Sequence, residues 1–268
     1  MRRRLGPWQP TPVRAPRRPA AVTWRLLRWY EREHRDLPWR HTRDPYAILV
    51  SEVMLQQTQV ARVVPRYEAW LARWPTADAL AAAALEDVLC EWVGLGYNRR
   101  ALRLWEAARA VASDGWPQRL QDLPGVGPYT AAALGSFAFG RQEVALDTNA
   151  RRLFGRLGTA LAPPPGRAAD FNQATMELGA TVCTARAPRC EACPLRVVCD
   201  GPGSPVPRVR AHERFEDSNR WVRGRVVAAL AAGEGLPPGI APERLQRALQ
   251  GLVRDGLIRR VAGGYALG

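Results

Sequence analysis

The sequence contains no lysine: all 39 basic side chains are arginine, set against 25 acids, for a formal net charge of +14. It also has no stretch near the roughly 18 to 20 unbroken apolar residues of a membrane span, and no apolar signal-peptide core follows the basic start. A cytoplasmic, nucleoid-associated protein that does not enter membranes is expected. Alternating strand-like patterning is missing before about residue 255. Cysteine is scarce, and four of the five lie within 17 consecutive positions. In a reducing compartment that clustering reads as metal binding rather than as disulfides. The positive balance favours a polyanionic partner, nucleic acid first and an acidic membrane surface second. Arginine suits phosphate and base contacts, although a GC-rich coding sequence would give the same bias.

With 47% hydrophobic residues in 268, the chain can build real cores without disulfide staples. Apolar residues recur at three and four over residues 23–35, 46–70, 77–92, 99–113 and 128–139, which predicts five helices. Two more are expected at 148–157 and 168–178, so the first two thirds read as all-α. Residues 1–21 hold no acid and many Arg and Pro, as in a basic disordered tail. Prolines at 202, 205 and 207 mark a linker over 201–214. Beyond it, Ser218 and Asn219 cap a helix to about residue 232, a second runs from 242 to 253, and residues 257–261 and 265–267 flank Gly263-Gly264 as a hairpin. Two helices and a hairpin in 215–268 resemble a small winged-helix module.

Three places carry chemistry. Leu123-Pro124-Gly125-Val126-Gly127-Pro128 is a glycine-punctuated turn opening a helix with proline at its first position. Such a turn lets backbone approach a phosphate and offers N–H donors to it, or simply connects two helices. Cys183, Cys190, Cys193 and Cys199 leave six, two and five residues between successive thiols, a set able to ligate zinc or a [4Fe–4S] cluster. Only one Cys-x-x-Cys knuckle is present, unlike a zinc ribbon. The fifth, Cys90, reads as a buried hydrophobe. Glu52 lies in a segment apolar nearly all round, where the charged form of a carboxylate is disfavoured and a general acid is poised; a buried glutamate satisfied by an arginine is the plainer reading. Asp147 precedes a helix and reads as its N-cap.

Taken together, residues 22–200 resemble the helix-hairpin-helix DNA glycosylases, and within them the MutY adenine glycosylases. The resemblance rests on the 123–127 hairpin, the cysteine spacing, and Ser51-Glu52-Val53-Met54-Leu55-Gln56-Gln57-Thr58-Gln59. It implies an all-α fold, a six-helix domain over about 47–146, and a cluster domain from 22–46 and 147–200. It implies a [4Fe–4S] cluster on the four cysteines and a monomer acting on double-stranded DNA that carries a mismatch or oxidised guanine. Glu52 would protonate the departing adenine. Asp147, 20 residues after Gly127 as in the family, would stabilise the oxocarbenium-like sugar, oriented by Asn149. Tyr129 stands where bifunctional relatives carry a lysine nucleophile, so no Schiff base forms. DNA contacts are implied for Leu123, Gly125, Val126 and Gly127, with the wedge and opposite-base contacts at Gln57, Thr58, Leu95 and Tyr97. Trp39, Arg40, Leu55 and Glu177 would line the adenine pocket. The chain departs from the family at Asn98 and in its last 55 or so residues, too few for the Nudix-like domain of typical MutY proteins. A mismatch-specific thymine/uracil glycosylase on the same scaffold is the nearest rival, and a non-catalytic iron–sulfur DNA-binding protein is the alternative from a different class.

Overall fold

The computed structural model describes residues 19–199, 201 and 214–268. Most of the basic tail and of the 201–214 linker lies outside them. Along the chain run α1 (Pro19–Glu33), α2 (Pro45–Leu55), α3 (Val60–Arg73), α4 (Ala77–Ala81), α5 (Leu85–Trp92), α6 (Arg99–Asp114) and α7 (Pro128–Ala138). They continue with α8 (Thr148–Leu157), α9 (Ala168–Thr181), α10 (Asn219–Ala231), α11 (Pro242–Arg254), β1 (Ile258–Val261) and β2 (Gly264–Leu267). Helix α1 begins at Pro19, so residues 19–21 belong to it and not to the tail. The chain divides into two compact units: residues 1–35 with 140–207, and residues 36–139 with 208–268.

The first unit gathers α1, α8 and α9 around Leu26, Leu27, Leu153, Phe171 and Leu178, and the cysteine loop packs on the same core through Leu195. Helix α8 is capped at its start by the Asp147 side chain and closed by Gly158 in the left-handed region. Gly179 on α9 lets α8 come close: a Cβ there would lie 2.4 Å from the Cβ of Asn149.

In the second unit, α2 is the central helix, buried from Tyr46 to Met54. It starts where Pro45 follows Asp44, whose carboxylate accepts from the Tyr46 and Ala47 amides at 3.0 and 3.4 Å. Trp70 donates to the Tyr46 hydroxyl at 3.2 Å, and that hydroxyl donates to the Trp74 carbonyl at 2.9 Å. Trp70 also meets Trp74 and Trp92 edge to face, at 4.8 and 5.5 Å. Replacing such a buried tryptophan by alanine costs about 3 to 5 kcal/mol.

Two expected helices are broken. The 46–70 segment stops at Leu55 and restarts at Val60, with Gln57 between them at φ +56°. Arg100 explains the stop, because its guanidinium takes the carbonyls of Val53, Met54 and Gln56 at 2.8, 3.0 and 2.6 Å. Those are carbonyls that a continuing helix would have used itself. The 77–92 segment divides into α4 and α5, and the indole of Trp105 holds the Ala83 carbonyl at 3.0 Å in the gap.

The C-terminal residues do not build a separate core. Val222, Val226, Leu249, Leu252, Leu257 and Leu267 join the cluster that holds Val88, Leu89 and Trp92 of α5. The thiol of half-buried Cys90 faces the Ala231 carbonyl at 4.0 Å. The hairpin pairs antiparallel, Ile258 with Leu267 and Val261 with Gly264, around Gly263 at φ +81°.

Candidate catalytic residues and nucleic-acid interface

In the first unit Asp147 serves as an N-cap and more. One carboxylate oxygen accepts from the Ala150 amide at 2.6 Å, and the other accepts from the side-chain amide of Asn149 at 2.9 Å. Arg152 donates to the side-chain Oδ1 of Asn149 at 2.7 Å, to the Gly179 backbone carbonyl at 2.7 Å and to the Cys183 backbone carbonyl at 2.8 Å. Arg156, one turn on, donates to the Cys183 sulfur at 3.2 Å and to the Thr184 carbonyl at 2.8 Å. One helix thus fixes the Asp147 carboxylate at its start and the cysteine loop along its side.

The four cysteines open on one cavity, with Leu153, Leu157, Val182 and Leu195 as apolar walls. Burial pushes the Cys193 thiol up, and the neighbouring Cys183, Cys199 and Cys190 add to the shift. A set of thiols that oppose one another's ionisation in an apolar pocket fits a cationic metal group, which would stabilise all four thiolates. Among the described residues no three His, Cys, Asp or Glu side chains are set to hold a single metal ion.

Glu177, expected in a base pocket, is fully buried and paired. Arg35 grips both its oxygens, with Nε to Oε1 at 2.7 Å and Nη2 to Oε2 at 2.9 Å. The pair holds the Arg35 guanidinium above its ordinary pKa, chiefly through the hydrogen bond to Glu177. This side chain therefore anchors the end of α1 to α9.

In the second unit Glu52 lies on α2 at 6% exposure, with Ser51 and Val53 buried beside it. Tyr129 is half-buried in the first turn of α7. In the hairpin, Gly125 has φ +77°, and a Cβ would meet the Arg103 Cβ at 2.7 Å, so glycine is required twice over. The Val126 amide donates to the Leu123 carbonyl at 3.1 Å, closing the turn. Both Leu123 and Val126 bury their side chains in the core, so what they can offer an anion is backbone. Trp39 is a core residue too, edge to face with Tyr67 at 5.5 Å, and Arg40 and Leu55 are half-buried.

Gln57, Thr58, Leu95 and Tyr97 come from two loops that the fold sets side by side. Among the described residues, Gln57 and Tyr97 are the non-glycine positions with positive φ, at 56° and 49°, and both are exposed. Strained backbone of this kind persists where its surroundings over-determine it, and it concentrates at functional sites. The clamp is Arg100, a residue the sequence reading did not single out. Besides the Val53, Met54 and Gln56 carbonyls it donates to the Thr58 hydroxyl at 3.1 Å and to the Leu95 and Gly96 carbonyls, each at 2.9 Å. Burial pushes its pKa down to about 10, partly offset by the Tyr97 phenol, which leaves the cation intact at neutral pH. No motif marks Arg100, which is one of two adjacent arginines. Gly179 and Arg152 were missed for the same reason: their roles exist only across helices.

Residues 50–173 match the family model of the HhH-GPD superfamily base excision DNA repair proteins. The chain is 42% identical over 273 residues to the adenine DNA glycosylase of Mycolicibacterium smegmatis, spanning 89% of this chain and 93% of that one. Against the human adenine DNA glycosylase it is 44% identical over 245 residues, covering 79% of this chain and 43% of the relative. Among solved structures, a thermostable thymine-DNA glycosylase superposes with a TM-score of 0.63 at 30% identity, over 68% of this chain and 95% of that one. An endonuclease III trapped as a covalent DNA intermediate superposes at 0.58 with 22% identity, over 68% of this chain and 93% of the other, a likeness of fold. The chain belongs to the adenine DNA glycosylases of the helix-hairpin-helix base excision repair superfamily.

Proposed function

We propose that this protein removes adenine mispaired with 8-oxoguanine or guanine by hydrolysing its N-glycosidic bond, without cutting the strand. The observation that carries this reading is the pairing of residue types: a carboxyl buried in an apolar helix at Glu52, and a hydrogen-bonded carboxylate at Asp147. Adenine leaves poorly as an anion. Glu52 donates a proton to a ring nitrogen of the flipped base as the bond to the sugar breaks and its electron pair goes to the base. The positive charge left on the sugar is stabilised by the Asp147 carboxylate, which Asn149 and the Ala150 amide keep in place. Water adds to the anomeric carbon and gives its proton to a carboxylate. Tyr129 offers no amine, and the chain has no lysine elsewhere, so hydrolysis is the outcome and not strand scission.

The turn at 123–127 binds a phosphate through backbone N–H groups at the start of α7. Cys183, Cys190, Cys193 and Cys199 hold a [4Fe–4S] cluster, which supplies folding energy to the loop that carries Arg186, Arg189 and Arg196. The test is a panel of duplexes with adenine opposite 8-oxoguanine, guanine or thymine, and thymine opposite guanine. Free adenine from the first two supports the reading. Thymine release alone would replace it with the rival to which the thymine-DNA glycosylase likeness points.

A further inference from the structure

Between the turn at 94–98 and the start of α10 lies an open groove of about 1020 Å³. One wall presents Gln57 and Tyr97, and the other presents Asn219, Arg220 and Arg225 of the C-terminal residues. Its charge is one-sided: Arg62, Arg99, Arg220 and Arg225 are exposed along it. The one acid in its lining, Asp255, is already taken by Arg223 at 2.7 Å and by Arg99 at 3.9 Å. No acid among the described residues forms an ion pair with Arg62, Arg220 or Arg225.

Arg220 joins the two walls. Its guanidinium lies over the Tyr97 ring at 4.7 Å and over Phe215 at 4.8 Å, and it donates to the Tyr97 hydroxyl. The C-terminal residues therefore touch the exposed, strained tyrosine directly. A groove with surplus guanidinium groups, an exposed aromatic and strained turns suits an unstacked nucleotide on its phosphodiester backbone.

We infer that this groove takes the DNA strand opposite the excised base, with Arg220 and Arg225 as phosphate contacts and Arg220 as the residue that positions Tyr97. The choice of strand rests on the proposed function together with the opposite-base contacts that the family resemblance implies for Gln57 and Tyr97. Arg220 stays within reach of Tyr97 while trading the phenol for a phosphate oxygen, so strand binding and wedge placement are coupled through one side chain.

The test measures binding to a duplex with 2′-fluorinated adenosine, which resists base release, opposite 8-oxoguanine, for wild type and the Arg220→Gln/Arg225→Gln double variant. Both positions are exposed, so the fold should survive, and an unchanged melting temperature checks it. The expected result is a slope of log K against log salt shallower by about 1 to 2 in the variant. Uncharged methylphosphonate linkages placed in the opposite strand should weaken wild type but scarcely affect the variant, while the same linkages in the adenine strand should weaken both alike. An unchanged slope, or a variant indifferent to the adenine-strand linkages instead, would overturn the inference. Unmodified duplex read in parallel keeps the two ideas apart: no adenine release by wild type would sink the functional reading, whereas the strand contacts are read from binding alone.

Discussion

Glu52 and Asp147 are held in opposite ways, and the roles proposed for them draw on that difference. Glu52 sits on a helix buried on all sides, whereas Asp147 is half-exposed at a helix start and tied by two donors. Glu52→Gln removes the proton and should slow single-turnover adenine release by about 10²- to 10⁴-fold with duplex affinity nearly unchanged. Asp147→Asn should slow it by about 10²- to 10³-fold, again at nearly constant affinity. Near-normal turnover by either variant would return that residue to a structural role, a helix cap in the case of Asp147. Arg100 predicts a different signature. Arg100→Met takes a donor from five carbonyls; Gly96 keeps the Trp92 indole and Gln56 and Leu95 keep the Thr58 hydroxyl, but Val53 and Met54 lose their side-chain donor, and at about 1 to 3 kcal/mol for a stranded buried acceptor the variant should lose about 2 kcal/mol or more of stability. Urea unfolding measures that loss, and a change under 1 kcal/mol would be too small for a clamp.

At the scale of elements, α8 links the Asp147 carboxylate to the cysteine loop through Asn149, Arg152 and Arg156. Gly179→Ala would push Asn149 aside, since the new methyl lands 2.4 Å from its Cβ, and should lower the release rate while leaving the iron content alone. Loss of iron in that variant would show the loop, and not Asn149, to be what moved. Cys193→Ser should do the reverse: the brown colour and about four irons per chain are lost, and DNA affinity falls with them. Colourless wild-type protein carrying one zinc would contradict the cluster. Much of this level is legible in sequence because it is local. The Asp147 cap, the proline at the start of α7 and the Gly263 turn are each written in a few adjacent residues. The breaks at 56–59 and 82–84 are not, because the groups that hold them, Arg100 and Trp105, lie far along the chain. Burial of Leu123 and Val126 escaped for a related reason, since a turn motif shows which backbone bends and not which way its side chains face.

For the molecule as a whole, the surplus of 14 positive charges predicts binding that is strongly salt-dependent. Neutralising about six phosphates would cost roughly 10³-fold in affinity between 50 and 200 mM salt, and a flat response would argue against DNA. The sequence reads residues 215–268 as a small module beyond a linker, yet Val226, Leu252 and Leu267 share a core with Trp92. Point substitutions, not truncation, are therefore the way to probe that end, because cutting it away would bare the face of α5. The most direct measurement of the central claim is single-turnover release of free adenine from a duplex with adenine opposite 8-oxoguanine, followed for wild type and Glu52→Gln, with borohydride added in a parallel reaction. The account predicts rapid release by wild type, a loss of at least about 10²-fold in the variant, and no trapped protein–DNA adduct from a chain without lysine. Equal release by the two proteins, or robust trapping with strand scission, would contradict it.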